Sequence, residues 1–503
     1  MLAFKAASQA LARTCRATSF WNSSRAAPQT LSSSSVVGLA SFSRTGTNAR
    51  KHGLMATERA SVSFPRNSAG LPCTFGYRSV TNYYSTTAKI PSHEQQYQEQ
   101  KRRNEDAGVL TELVRDFLEP SAFYKAVKEI GIDFYTGVPD SLLKDFCAFV
   151  TDHVPSSHHI IAPNEGAAVA VAAGYHLASS KAPLVYMQNS GLGNAVNPLV
   201  SLCAPEVYSI PMLLLIGWRG EPGKRDEPQH LVQGQVTPGL LAALGIPFQP
   251  LPDYFEGAQQ ALYTAKKHME RTLTPYALLV KRQTFAPYKM QKLTVLDEVE
   301  HSRMQREDAI ETVINTVSDR DIIVGTTGML SRELFELRKM REEGHERDFL
   351  TVGCMGHATS IALGIAIRKP TRRIFALDGD GALIMHMGSM ATIAQTSPPN
   401  LTHIVLNNGA HDSVGGQPSA ASKDTFSIPE LAIAAGYRSA QVATNAEEIM
   451  QAIKNVQLPG EKGPNMIEIK IRRGSRKNLG RPTRTPVQNK MDFMHFVAIN
   501  GSG

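Results

Sequence analysis

Residues 377–413 read LDGDGALIMHMGSMATIAQTSPPNLTHIVLNNGAHDS and hold two clusters of polar residues, each directly after an apolar run. Asp378 and Asp380 follow the apolar run Ile374-Phe375-Ala376-Leu377, and Asn407 and Asn408 follow a second run, Ile404-Val405-Leu406. Short apolar runs bounded by turn residues read as buried strands, with a helix between them at Gly388–Thr396. Polar residues closing a buried strand cost desolvation unless something meets them there. In open parallel sheets ligands bind at the carboxyl ends of strands, where both polar pairs fall. Carboxylate and amide oxygens beside tight glycine turns are hard ligands suited to Mg2+, which bridges to phosphate oxygens. Gly379 and Gly381 let the backbone approach a diphosphate, and the helix that follows offers free N–H groups to it.

On either side the pattern is of strands alternating with helices, which predicts parallel sheets covered on both faces, an α/β fold. Downstream of residue 306 the expected strands are Asp321–Gly325, Arg373–Leu377, Thr402–Leu406 and Asn465–Ile471, with helices at Arg332–Lys339 and Ala358–Arg368. Upstream, strands are expected at Asp133–Thr136, His159–Ile161, Pro183–Gln188 and Pro211–Ile216, with helices at Ser121–Ile130, Ser141–Val150 and Gly166–Ser179. A polar segment, 288–305, separates two units of similar architecture, 110–287 and 306–503. The 503 residues exceed one ordinary core, in keeping with such a division.

The formal charge of +8 resembles a nucleic-acid signal until it is located. Met1–Thr57 contains no Asp or Glu, yet holds Lys5, Arg13, Arg16, Arg25, Arg44, Arg50 and Lys51 among many Ser, Ala and Thr. That is the composition of an organellar transit peptide, so residues 1–92 are expected to be a leader that directs the chain to the mitochondrial matrix, followed by a charged linker at 93–109. The excess charge is therefore not assigned to nucleic-acid binding. No apolar run reaches the roughly 18–20 residues of a membrane-spanning helix, and the five cysteines form no CxxC pair.

With these residues in view, the 377–413 segment resembles the diphosphate-and-metal motif of thiamine-diphosphate-dependent enzymes. The resemblance implies two thiamine-diphosphate-binding domains, a pyrimidine-binding one at 110–287 and a diphosphate-binding one at 306–503. It implies thiamine diphosphate with Mg2+ as cofactors, with Asp380, Asn408 and the backbone carbonyl of Ala410 as metal ligands. Such a cofactor needs a protonatable group against its aminopyrimidine, and a Glu in an apolar pocket serves because desolvation favours its protonated form. Glu165, in Pro163-Asn164-Glu165-Gly166, matches the family's activating Glu. In Gly353-Cys354-Met355-Gly356-His357, Met355 matches the residue that holds the cofactor bent, and the Gly353 carbonyl would receive its exocyclic amine. Gly137-Val138-Pro139-Asp140-Ser141 is similar to the Gly-Val-Pro-Gly-Asp segment of thiamine decarboxylases with one residue missing before the acid, which makes Asp140 a candidate active-site acid.

No middle domain separates the two units. Together with Tyr186–Asn194, Ile216–Gly223, Asp226–His230 and Asn408–Gln417, that economy resembles the phosphonopyruvate decarboxylases over about Leu110 to Ala498. The implied reaction takes 3-phosphonopyruvate to phosphonoacetaldehyde and CO2 through the cofactor's ylide, in phosphonate biosynthesis. Arg219 is the favoured contact for the substrate anion because a guanidinium fork matches phosphonate oxygens, with Lys224, Arg225 and Arg472 as competitors. His411 and His357 are candidates for proton transfer or substrate hydrogen bonds. Sulfopyruvate decarboxylase is the alternative of similar chemistry. A non-catalytic thiamine-fold binding or regulatory subunit is the alternative of another class, and should lack Glu165 or the Asp380/Asn408 pair. The family geometry implies a homo-oligomer whose minimal active unit is a dimer, Glu165 of one chain serving a cofactor held by Asp380 and Asn408 of another.

Overall fold

The computed structural model describes residues 117–291, 301–423 and 425–499. The expected leader and charged linker lie outside the described residues. Two six-stranded parallel sheets carry the fold. The first comprises β1 (Tyr135–Gly137), β2 (His159–Ile161), β3 (Leu184–Gln188), β4 (Leu213–Gly217), β5 (Phe248–Pro250) and β6 (Tyr276–Val280), in the order β2-β1-β3-β4-β6-β5. The second is β13-β14-β10-β9-β7-β8, from β7 (Ile322–Gly325), β8 (Asp348–Leu350), β9 (Ile374–Gly379), β10 (Leu401–Asn407), β13 (Ser439–Ala443) and β14 (Asn465–Lys470). A small antiparallel pair, β11 (Ala410–His411) and β12 (Gln417–Pro418), follows β10. Renumbered one to six in chain order and read from the β8 edge, the second sheet has the same strand order as the first. The two units are therefore topological twins.

Each sheet buries both faces, which is why its central strands are nearly continuous apolar runs. The period of two splits every run between two cores. Leu213, Leu215, Leu278 and Val280 pack on one face of the first sheet, and Leu214, Ile216, Ala277 and Leu279 on the other. In the second sheet Phe375, Leu377, Ile404 and Leu406 face one core, while Ile374, Ala376, Leu401 and Val405 face its opposite. Truncating any of these fully buried leucines to alanine should cost about 2–5 kcal/mol.

The same order creates a switch point in each sheet, where the connections from neighbouring strands leave in opposite directions. In the first it lies between β1 and β3, and in the second between β7 and β9. Asp140 follows β1 and Asp380 follows β9, so the two acids occupy the crevices of twin folds. Among the described residues, no helix is long and apolar enough to cross a membrane.

Candidate active site

Strand β9 runs through Asp378 and Gly379, two residues beyond the apolar run, and a short helix, Asp380–Met385, starts at once. Asp380 is buried, and its Oδ2 accepts a short hydrogen bond from the Ser419 hydroxyl. Burial pushes its carboxyl up to about 6, opposed by hydrogen bonds from Ser419 and backbone groups around it. A buried carboxylate held by a hydroxyl and backbone N–H groups is one that a divalent cation would stabilise. Asn408, also buried, accepts the Ala410 N–H at 3.0 Å through Oδ1, leaving that oxygen's second lone pair free. The neighbouring Asn407 does a different job. Its Nδ2 donates to Glu468 at 2.6 Å and its Oδ1 accepts the Gly409 N–H at 2.9 Å, so it shapes the turn that presents Asn408.

The glycines around this turn leave room for a ligand. Nothing lies within 4 Å of the position a Cβ would take on Gly379, whereas one on Gly381 would come within 2.9 Å of the His411 ring and 3.5 Å of the Met355 terminal methyl. Met355, His411 and Asp380 therefore converge. Burial pushes His411 down to about 4, against a smaller opposing effect of Asp412, so its imidazole is neutral at pH 7. Such a ring offers one N–H donor and one acceptor. Donor set and space together fit a diphosphate held through Mg2+ by Asp380, Asn408 and the Ala410 carbonyl.

In the first unit Asn164 caps the helix Glu165–Ser179, accepting the Ala167 N–H at 2.9 Å, and so fixes the turn on which Glu165 sits. Glu165 is buried, with Oε2 accepting from Asn194 Nδ2 at 2.8 Å and its other oxygen lodged against Gly191, where a Cβ would lie 2.2 Å away. Asp140 is likewise fully buried. Gln188 Nε2 donates to it at 2.6 Å and the Leu142 N–H at 2.9 Å, and a Cβ on Gly217 would lie 2.0 Å from its Oδ1. Both acids occupy hollows that only glycine leaves open.

The two units meet along these motifs within one chain. Asn164 Nδ2 reaches the Met385 carbonyl at 3.4 Å, where the helix begun by Asp380 ends. Gly353 packs on Gln229, a Cβ there lying 3.4 Å from the Gln229 Cβ, and one on Gly415 would lie 3.2 Å from the Lys144 Cβ. His357 is exposed, with Nδ1 3.2 Å from the Met355 carbonyl and its ring tilted by 50° against that of His386, the centroids 4.2 Å apart.

Arg219 differs from expectation. Its fork is already engaged by Asp226, through Nε at 2.9 Å and Nη2 at 2.5 Å, while Nη1 donates to Ser141 at 2.9 Å. Asp226 is itself anchored by the Gly220 and Glu227 N–H groups, and spacing could not reveal a partner seven residues on in a folded-back loop. Beyond that pair lies a cleft of about 660 Å3 lined by Trp218, Lys224, Arg225, Lys281 and Arg282 among others. Sequence reasoning also missed Ser419 and Asn194. Neither carries a local signal, because each reaches its carboxylate from a distant part of the chain.

Residues 121–239 match the family described as thiamine pyrophosphate enzyme, N-terminal TPP binding domain, and residues 324–469 match its C-terminal TPP binding domain. The chain is similar to phosphonopyruvate decarboxylase of Streptomyces viridochromogenes, 32% identical over 385 residues that cover 74% of this chain and 94% of the relative. It is 33% identical to that of Streptomyces hygroscopicus over 380 residues, covering 73% and 91%. Sulfopyruvate decarboxylase of Methanosarcina acetivorans is more distant, at 28% over 344 residues, covering 65% and 85%. With both cofactor-binding domains matched and nearly the whole of these relatives spanned, the chain belongs to the phosphonopyruvate decarboxylase family of thiamine-diphosphate-dependent enzymes.

Proposed function

We propose that this chain decarboxylates 3-phosphonopyruvate to phosphonoacetaldehyde and CO2, in phosphonate biosynthesis. The observation that carries the reading is the identity to two phosphonopyruvate decarboxylases over more than nine-tenths of each, joined to a site in which Asp380, Asn408 and Glu165 are all retained. Sulfopyruvate decarboxylase is the weaker alternative, since its similarity is lower. Bound thiamine diphosphate supplies an electron sink for the pair released as CO2 departs.

The chain's own residues bind, orient and move protons. Asp380, Asn408 and the Ala410 carbonyl would hold Mg2+, with Gly379 and Gly381 admitting the diphosphate. Met355 and the Gly353 carbonyl would hold the aminopyrimidine end, and Glu165 would exchange a proton with it from a site that excludes water. Asp140 and His411 would hydrogen-bond substrate oxygens and return a proton to carbon. The phosphonate is assigned to Arg219, whose Nη1 beside Ser141 remains directed away from Asp226, with Lys224 and Arg225 as the nearby cations that make no ion pair among the described residues.

Oligomeric state is part of the same reading. A homo-oligomer with a dimer as its active unit is the family expectation, Glu165 of one chain serving a cofactor held by Asp380 and Asn408 of another. We also infer that the acid-free segment Met1–Thr57 directs mitochondrial import, a reading supported by composition alone. Removing residues 1–92 should leave catalysis intact and abolish import, and an imported truncated chain would refute the second half.

The test of the activity is to incubate metal-free, cofactor-free chain with phosphonopyruvate, adding thiamine diphosphate and Mg2+ singly and together. Phosphonoacetaldehyde, followed by phosphorus NMR, should form only with both. Its absence with both present would reject the proposal.

A further inference from the structure

We propose that Asp412 is a positioning residue that fixes which end of the Asn408 amide faces the metal site, an inference resting on the assignment of Asn408 as a metal ligand. An asparagine can turn either its oxygen or its NH2 group toward a given point, and only the oxygen coordinates a hard cation. Asn408 Nδ2 donates to Asp412 Oδ2 at 2.7 Å. An ionised carboxylate accepts hydrogen bonds and donates none, so turning the amide over would set Oδ1 against Oδ2, two acceptors with no proton between them. The observed orientation leaves Oδ1 with the Ala410 N–H at 3.0 Å and one lone pair uncommitted.

Asp412 is itself held from three sides. Besides Asn408, its Oδ2 accepts the Gly474 N–H at 2.9 Å and faces Arg306 Nη1 at 3.4 Å. Arg306 is buried and is pinned in turn by Glu333, whose two oxygens take Nε at 2.7 Å and Nη2 at 3.1 Å. The chain Glu333–Arg306–Asp412–Asn408 thus runs from two helices, Arg306–Thr316 and Met329–Met340, to the end of β10. Glu333 keeps Arg306 in place beside Asp412. Partners that orient a ligand in this way commonly change metal affinity 10–100-fold when removed.

The test is Mn2+ binding, read by electron paramagnetic resonance on the purified chain saturated with thiamine diphosphate. Asp412→Ala should weaken Mn2+ binding roughly 10–100-fold. Asp412→Ser, small and polar enough to be solvated in this loop, should do the same and serves if the alanine variant fails to fold. Asp412→Asn keeps an acceptor in place and should stay much closer to wild type. In an Asn408→Ala background, Asp412→Ala should cost no further affinity, because nothing is left to orient. Wild-type Mn2+ affinity in Asp412→Ala or Asp412→Ser, with only the metal-free melting temperature lowered, would overturn the proposal and leave Asp412 a structural residue. If Asn408→Ala itself leaves Mn2+ binding unchanged, the metal-ligand assignment is what fails.

Discussion

Glu165 illustrates how little room a proton-transfer residue is given. Its carboxylate is buried against Gly191 with one oxygen on Asn194, so a substitution there must keep the shape to be informative. Glu165→Gln keeps size and hydrogen-bonding reach but cannot cycle a proton. Thiamine diphosphate binding should stay near wild type while exchange of its C2 proton slows by roughly 10²–10⁴-fold, measured by NMR after acid quench. Unchanged exchange would remove Glu165 from its assigned role. Arg219→Lys keeps a charge but loses the fork now shared between Asp226 and Ser141. Each charge-assisted hydrogen bond lost costs roughly 1.5–3 kcal/mol. The kcat/KM for phosphonopyruvate should then fall by about tenfold or more with C2 exchange intact, and a normal value would move the anion contact to Lys224 or Arg225. At this scale the sequence was legible where polar residues follow an apolar run, as at Asp380 and Asn408, and where an acid opens an apolar helix, as at Glu165. It was silent on Ser419, Asn194 and the Asp226 clamp on Arg219, because hydrogen bonds between distant or folded-back segments leave no periodic trace.

Among the elements, most interior strands were read and most rims were not, though the fully buried interior strand β6 was missed and the edge strand β2 was read. β3, β4, β9 and β10 are apolar runs buried on both faces, which short-range patterning detects. β5 (Phe-Gln-Pro) and β13 (Ser-Ala-Gln-Val-Ala) are edge strands that bury little, and pattern alone does not separate them from loops. The helix Pro228–Ala243 carries Pro238, Gly234 and Gly239, residues that read as breakers, yet it is continuous because packing outweighs propensity. Near the β8 edge, Glu343 follows the helix Met329–Met340 and ties it to the neighbouring turn. Burial alone would raise its carboxyl, but hydrogen bonds from Arg341, Arg338 and Arg347 more than reverse that and hold it at about 2. A carboxyl depressed in the folded state stabilises above its unfolded value of 4.5, and that contribution is lost as pH falls towards about 2. Allowing for solvent screening, it is worth roughly 1 kcal/mol. Glu343→Gln should lower the melting temperature by a few degrees at pH 7 and by almost nothing near pH 2. A difference that persists unchanged at low pH would mean that charge is not its source.

For the molecule as a whole, the twin topology explains why two acids so far apart in sequence both sit at switch points. The sequence carried the two-unit α/β plan, since each unit repeats the alternation of strand and helix. Which chain completes which site was not legible, because contacts between units depend on surfaces rather than patterns. Mixed chains decide it. Glu165→Gln and Asp380→Ala subunits, unfolded and refolded together, should regain part of the activity through hybrid sites if each site is shared across a dimer, as the family geometry implies. No recovery in demonstrated hybrids would instead mean that each site closes within its own chain. This two-domain scaffold should select a phosphonate-bearing 2-keto acid, a preference read by comparing CO2 release from phosphonopyruvate, sulfopyruvate and pyruvate at matched concentrations, with thiamine diphosphate and Mg2+ saturating. The kcat/KM should be highest for phosphonopyruvate and lowest for pyruvate, which carries no second anionic group. A higher value for sulfopyruvate or pyruvate would contradict that preference.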